Sequence, residues 1–255
     1  MLLAMSVGNS HITFGVHDSR DWLRRWRIQT VHAKTSDEYL VILRTLLDAA
    51  QIPARKVAVA ILSSVVPPLT GTMSEAIREL TGRATALLSP ALDLGLRITT
   101  ENPAEVGSDL VANAVAALER FHRNCIVVDF GTALSFTAVA AAGELRGVAI
   151  APGLTSAMES LTRSTAQLYT VPLAAPPVTI GRNSVQSIQA GIMFGYVGLV
   201  AEIIRRMRSE LGGEADVAVT GGQSQIMAPL LGPQVVHEQW LTLEGLRIIA
   251  ERNSR

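Results

Sequence analysis

Cys125 is the only cysteine in the chain, so no internal disulfide can form. It lies in the apolar run Cys125-Ile126-Val127-Val128, where a buried, inert thiol is the expected state. Aromatic residues make up only 4% of the chain, and lysine occurs only at Lys34 and Lys56. Neither lysine follows a glycine as a P-loop requires, and the protein-kinase and dinucleotide fingerprints are missing too. Neither sign of charge is in excess: 22 Lys+Arg against 22 Asp+Glu give a formal net charge of zero. With no basic stripe, a nucleic-acid partner is not expected. The five histidines show no metal-ligand spacing with cysteine or acids. Long uninterrupted apolar runs are also lacking. The most apolar region, Cys125 to Ala142, is broken by Asp129, Gly131 and Thr132, which predicts two buried strands about a turn and no membrane span. The opening Met1-Leu2-Leu3-Ala4-Met5 is too short for a signal-peptide core. Together these absences predict a soluble, cytoplasmic protein.

A hydrophobic content of 48% supplies a sizeable core without disulfide or metal staples. Strands are predicted at Leu2–Val7, Ile12–Val16, Trp22–Ile28, Val57–Leu62 and Ala84–Leu88. Helices are predicted over Asp37–Ala50, Met73–Leu80 and the alanine-rich Val106–Phe121. The second half opens in the same way, with strands at Ile126–Asp129, Leu134–Val139 and Leu145–Ile150. Asn183 with Gln186 three positions on predicts a helix start, and Val185, Ile188, Ile192, Leu199, Ile203 and Met207 trace one face of a long helix. Val217–Val219 reads as a strand, and Thr242–Arg252 as the closing helix.

A shift of about 123 positions places Ser6 on Asp129, Gly8 on Gly131 and Asn9 on Thr132, so two duplicated halves facing a common cleft are expected, divided as 1–120 and 121–255. Small-residue loops after strands let backbone N–H groups approach phosphates closely. Gly8-Asn9-Ser10, Gly131-Thr132 and Gly221-Gly222 are three such loops. Any one of them could be a plain turn; three in a duplicated chain point to a nucleotide cleft.

Several longer segments carry a specific resemblance. They are Met5-Ser6-Val7-Gly8-Asn9-Ser10, Ser64-Val65-Val66-Pro67, Asn102-Pro103-Ala104-Glu105-Val106-Gly107-Ser108-Asp109 and Val127-Val128-Asp129-Phe130-Gly131-Thr132-Ala133. Further along stand Ala149-Ile150-Ala151-Pro152-Gly153-Leu154, the stretch from Ile180 to Gly191, and Leu241-Thr242-Leu243-Glu244-Gly245-Leu246. In this order and over essentially the whole chain, they resemble the type III pantothenate kinases. The resemblance implies an α/β fold of two ribonuclease-H-like domains with a cleft between them, shared with sugar kinases, actin and the large heat-shock chaperones. It implies ATP-dependent phosphorylation of pantothenate, the first step towards coenzyme A, with Mg2+ and a monovalent cation (K+ or NH4+). It also implies a dimer.

By position, the resemblance makes Asp109 the general base for the pantothenate hydroxyl, Asp129 the monovalent-cation ligand and Thr132 an ATP contact. It assigns Ser6, Gly8, Asn9, Ser10, Gly221 and Gly222 to the nucleotide, and Thr100, Gly107, Ser108, Leu110 and Ser184 to the substrate. Two alternatives remain open: Asp109 as a helix N-terminal acid favoured by the helix dipole, and Ser184 as decoration of a first helical turn.

The chain departs from the family pattern at several of these positions. Ser6 stands where an acid is expected, Leu110 where an arginine would grip the pantothenate carboxylate, and Thr100 where a tyrosine is expected. Leu134-Ser135, Thr137 and Val148 are further replacements. Leucine cannot donate forked hydrogen bonds to a carboxylate. Three readings follow: a kinase subunit completed by an intact paralogue in a heterodimer, a self-sufficient homodimeric kinase with rearranged contacts, or a paralogue that binds nucleotide or regulates without turnover.

Overall fold

The computed structural model describes residues 1–165 and 168–254. Along the chain run β1 (Leu2–Val7), β2 (His11–His17), β3 (Trp22–Gln29), α1 (Ser36–Ala49), β4 (Val59–Ser64), α2 (Pro67–Thr81), β5 (Thr85–Leu87), β6 (Arg97–Ile98) and α3 (Ser108–Phe121). They are followed by β7 (Cys125–Phe130), β8 (Ala133–Ala140), β9 (Glu144–Pro152), α4 (Leu154–Arg163), α5 (Ser184–Glu210), β10 (Asp216–Thr220), α6 (Ser224–Leu231), β11 (Val235–His237) and α7 (Leu241–Arg252).

The chain divides into two compact units. The first comprises Met1–Arg97, Glu101–Ala116 and Leu241–Arg255, the second Ile98–Thr100 and Ala117–Trp240. The first holds a five-stranded sheet in the order β3-β2-β1-β4-β5. β1, β2 and β3 pair antiparallel, whereas β4 runs parallel to both β1 and β5. In β1 the alternation of side chains sends Leu3, Met5 and Val7 into a core with Ile12, Phe14 and Leu62, closed by Tyr39, Leu43 and Leu47 of α1 and Leu69, Met73 and Ile77 of α2. At the edge strand β3, Trp26 stacks on Phe14 at 4.9 Å between ring centroids. α1 begins with a reciprocal capping box between Thr35 and Glu38.

The second unit repeats this plan. Its six-stranded sheet has the order β11-β10-β7-β8-β9-β6. β7, β8 and β9 form the antiparallel meander, and β10 runs parallel to β7 and β11. Both sheets thus share the connectivity of a meander whose first strand also pairs with a later parallel strand, and the duplication inferred from three loop positions extends to whole sheets.

α5 is capped at Asn183, whose side chain accepts from the Gln186 N–H at 2.9 Å, as the sequence predicts. By length and composition α5 is apolar enough to cross a membrane. However, Met193, Tyr196, Val200 and Ile204 pack into the second unit's core with Ile126, Val128 and Phe136, and the Tyr196 hydroxyl donates to the Pro152 carbonyl. It is a core helix of that unit. The Cys125–Ala142 region is, as expected, the strand pair β7–β8, and Cys125 is fully buried, with burial pushing its thiol pKa up to about 12.

The division is more interleaved than the expected halves 1–120 and 121–255: α7 belongs to the first unit, whereas Ile98–Thr100 and the chain from Ala117 to Trp240 belong to the second. α7 packs on β1, β2 and β4, on the sheet face opposite α1 and α2. Glycine at 245 permits this, because a side chain there would overlap the Ala112 carbonyl of α3. Thr242 donates to the Asn113 side chain at 2.8 Å, and Glu244 accepts from the Trp22 indole N–H at 3.0 Å. No local sequence pattern records such a long-range fit. Gly245→Ala is therefore expected to lower stability by about 1–3 kcal/mol, the cost of overpacking, measured by urea denaturation.

Candidate functional site

In the first unit the site residues gather at the C-terminal ends of the parallel strands β1 and β4. The β1–β2 connection is tight. The Gly8 N–H donates to the His11 carbonyl at 3.0 Å, and the Thr30 hydroxyl donates to the Gly8 carbonyl at 2.6 Å. The Thr30 N–H donates to the Ser10 carbonyl at 3.0 Å, tying the loop to the chain leaving β3. Asn9, Ser10, His11, Arg27 and Thr30 line an open cavity of about 630 Å³ beside this loop. Burial and the Arg27 charge both lower the His11 pKa.

Ser6, on the opposite face of β1 from the core, is buried and lies in register with Ser63 on β4 and Thr13 on β2. The Ser63 and Ser108 hydroxyls are 2.7 Å apart, and Ser108 also donates to the Ser64 carbonyl at 3.3 Å. These bonds hold the start of α3 against the end of β4. Asp109 is an acid in the first turn of α3, next along the chain from Ser108 of this hydroxyl row. Its carboxylate accepts from the Leu110 N–H at 2.8 Å, and desolvation pushes its pKa above the ordinary carboxylate range, outweighing the backbone hydrogen bonds. Gly107 lies against this carboxylate. Leu110 points inward and is 9% exposed, near Gly107 and Val65.

In the second unit the equivalent loop follows β7. Asp129 is in register with Thr220 of β10 and Ser135 of β8. The Gly131 N–H donates to the Ala133 carbonyl at 3.1 Å, and Thr132 is exposed. Gly221 has φ +96°, and any side chain there would strike the Asp129 carboxylate and the Phe130 backbone, so glycine lets the β10 loop close onto Asp129. Past the exposed Gly222, the Gln223 N–H donates to the Phe130 carbonyl at 3.1 Å. Ser224, fully buried, donates to the Gly221 carbonyl and lies 2.9 Å from His237 Nε2.

Thr100 and Ser184 are not brought to this loop. The adjacent Thr99 bonds the Leu145 carbonyl at the opposite end of β9, and the Thr100 hydroxyl is buried with no hydrogen-bond partner. Ser184 is exposed at the first turn of α5.

A single carboxylate is a hard oxygen ligand of the kind a cation takes, and Asp129 is the one that the second unit's row offers. Ser6 offers a hydroxyl and not the carboxylate magnesium favours, so the first loop does not fit that ion. Among the described residues no group of three His, Cys, Asp or Glu side chains could hold a metal. Sequence reasoning missed Thr13, Arg27, Ser63, Gln223, Ser224 and His237. For Arg27 a signal existed, since it alternates with Trp26 and Ile28, which pack on the core.

A family model described as Type III pantothenate kinase matches residues 2–206. A type III pantothenate kinase of Anaeromyxobacter sp. (strain K) is 43% identical over 253 residues, covering 99% of this chain and all of the relative. Among solved structures, a Baf family protein from Campylobacter jejuni superposes with a TM-score of 0.63 at 16% identity, covering 99% of this chain and 98% of its own. MreB 5 of Spiroplasma citri, bound to AMPPNP, gives 0.58 at 8% identity, covering 98% and 96%. At such identities the structural likenesses bear on the fold alone, an α/β fold with two mixed sheets.

The raised pKa of Asp109 has a consequence for stability. At low pH folded and unfolded chains both hold the proton. From the ordinary carboxylate pKa upward the folded state gives it up less readily, so stability declines and levels off above the raised folded value. Asp109→Asn removes this cost and keeps an acceptor for the Leu110 amide. Its urea midpoint is expected to exceed that of the wild type at neutral pH, with the difference closing as the pH falls to the ordinary carboxylate range.

Proposed function

Because the chain belongs to the type III pantothenate kinase family, we propose that it transfers the γ-phosphoryl group of ATP to the hydroxyl of pantothenate, with Asp109 as the base. The observation that carries the assignment of the base is the position of Asp109: a carboxylate with a raised pKa, in the first turn of a helix held to the strand ends by the Ser63–Ser108 contact. Phosphoryl transfer leaves a protein mainly positioning and electrostatics to supply, and a carboxylate that accepts the hydroxyl proton as the new P–O bond forms is sufficient acid–base chemistry.

The remaining roles divide between the units. The Gly8-Asn9-Ser10 loop and the Gly131-Thr132 and Gly221-Gly222 loops offer backbone N–H groups and hydroxyls to the nucleotide. Asp129 would hold K+ or NH4+, which neutralises phosphate charge when bound. Gly107 and Ser108 border the base, and Thr100 and Ser184 belong to substrate recognition. Leu110 replaces a donor by a buried apolar side chain, so the carboxylate of pantothenate must be recognised by other groups.

We further propose a cytoplasmic dimer, homodimeric or formed with an intact paralogue. Ile180, 87% exposed, and Val178, 43% exposed, lead into the exposed Ser184 and form an apolar stretch that a partner chain would cover. The inward-facing Leu110 motivates the heterodimeric version, in which the partner would supply the contact to the pantothenate carboxylate that leucine cannot make.

The test is ATP-dependent phosphorylation of pantothenate by the purified chain, alone and after co-expression with a host paralogue, with Asp109→Asn in both. The wild type is expected to turn over with kcat falling on the acid side, above the ordinary carboxylate range, as the base takes up its proton. Asp109→Asn is expected to lose about 10²–10⁴-fold. Activity only in the mixture establishes the heterodimer, and silence in both leaves the nucleotide-binding paralogue.

A further inference from the structure

The duplicated sheets permit a position-by-position comparison of their functional faces. In the first unit, Ser63 on β4, Ser6 on β1, Thr13 on β2 and Arg27 on β3 are successive register partners and form one transverse row. In the second unit the corresponding row is Thr220 on β10, Asp129 on β7, Ser135 on β8 and Ile150 on β9. Directly opposed side chains on one sheet face stand about 5 Å apart, so each row is a line of neighbours. Hydroxyls occupy matching places in both rows, and the charges do not. The first row carries a guanidinium and no carboxylate; the second carries a carboxylate and no cation.

The cavity beside the first loop has the same bias. Arg27 projects to the face opposite Trp26 and Ile28, which pack on the core, and it lines the cavity with Asn9, Ser10, His11 and Thr30. None of the residues lining it is an acid. The other end of the row reaches Ser108, next to Asp109. A planar guanidinium beside small-residue loop amides is a phosphate receptor in its own right.

We propose that the first hairpin binds the polyphosphate of the nucleotide directly, through Arg27 and the Asn9-Ser10 loop with no bridging metal ion, and that cation dependence resides in the Asp129 row. This rests on the reading that the loop faces nucleotide phosphates. It makes Arg27 a ligand-binding residue and explains how a loop without an acid at position 6 can still hold ATP. Burial first, and then the Arg27 charge, lower the His11 pKa, and the second of these places the guanidinium's field in the cavity.

The probe is inorganic tripolyphosphate, titrated calorimetrically into the full-length protein in EDTA and again with magnesium. The wild type is expected to bind in EDTA, with Arg27→Gln at least ~10-fold weaker at unchanged thermal midpoint, in keeping with loss of a charge-assisted contact. His11→Glu places a carboxylate in the same cavity without altering Arg27 and is expected to weaken binding similarly, which keeps the test valid if Arg27→Gln unfolds. Ser6→Asp is expected to weaken binding in EDTA and to recover it with magnesium, a dependence the wild type lacks. Wild-type binding that requires magnesium, or binding in EDTA indifferent to both cavity variants, overturns the proposal. If tripolyphosphate binding depends on Arg27 but pantothenate is never phosphorylated, the phosphate site stands and the kinase reading falls. If phosphorylation proceeds while Arg27→Gln binds tripolyphosphate like the wild type, the reverse holds.

Discussion

The arrangement of the first unit depends on the register in which β1 is clamped between β2 and β4. Strand geometry allows only two faces, and β1 spends Leu3, Met5 and Val7 on the core beneath α1 and α2. Ser6 is therefore delivered to the other face, in line with Ser63 and Thr13, and the chain must turn at Gly8 just beyond the sheet's edge. A slip of one residue would put Ser6 into the apolar core and Met5 on the functional face, so hydrophobic burial and site geometry enforce one another. The Ser63–Ser108 contact then carries the register across to α3, and through it to Asp109.

The same constraint explains what could be read from the sequence and what could not. Strands and loops of the two meanders were legible because burial imposes local patterns: apolar runs for the central strands, small residues at the turns. The start of α5 was legible because the Asn183–Gln186 cap is a contact over three residues. α6 was not, being only eight residues long with Pro229 inside it, too short for its periodicity to show. α7 was legible as a helix, but its place in the first unit was not. Its membership is decided by Gly245 against Ala112, Thr242 against Asn113 and Glu244 against Trp22, all contacts across more than 120 residues. The hydroxyl row was equally hidden, since Ser63, Ser6, Thr13 and Arg27 become neighbours only once four strands are in register.

Tertiary context also changes the meaning of the substitutions that set this chain apart. Taken singly, Ser6 and Leu110 look like losses of a carboxylate and of a guanidinium. In the fold they are different kinds of change. Leu110 has turned inward and contributes apolar burial, so its position no longer offers anything to a polar substrate. Ser6 stands in register with the hydroxyl-bearing Ser63 and Thr13, so a hydroxyl takes the place of a charge.

That distinction bears on whether the first loop has decayed or changed its ligand chemistry. A decayed phosphate loop has no reason to keep a tight turn, and yet Gly8 is held from two sides, by His11 and by Thr30. A site that binds metal-bound phosphate profits from a carboxylate near the loop, whereas one that binds the bare anion is harmed by it, since like charges at such spacing repel by amounts comparable to a hydrogen bond. With Arg27 lining the cavity, a carboxylate at position 6 would partly cancel the guanidinium's field, and serine leaves that field intact while still filling the space in the row. The second unit, whose row has no arginine, retains Asp129 and seals it with Gly221. Matching rows of one duplicated scaffold thus carry opposite charges, a guanidinium at Arg27 in the first unit and a carboxylate at Asp129 in the second.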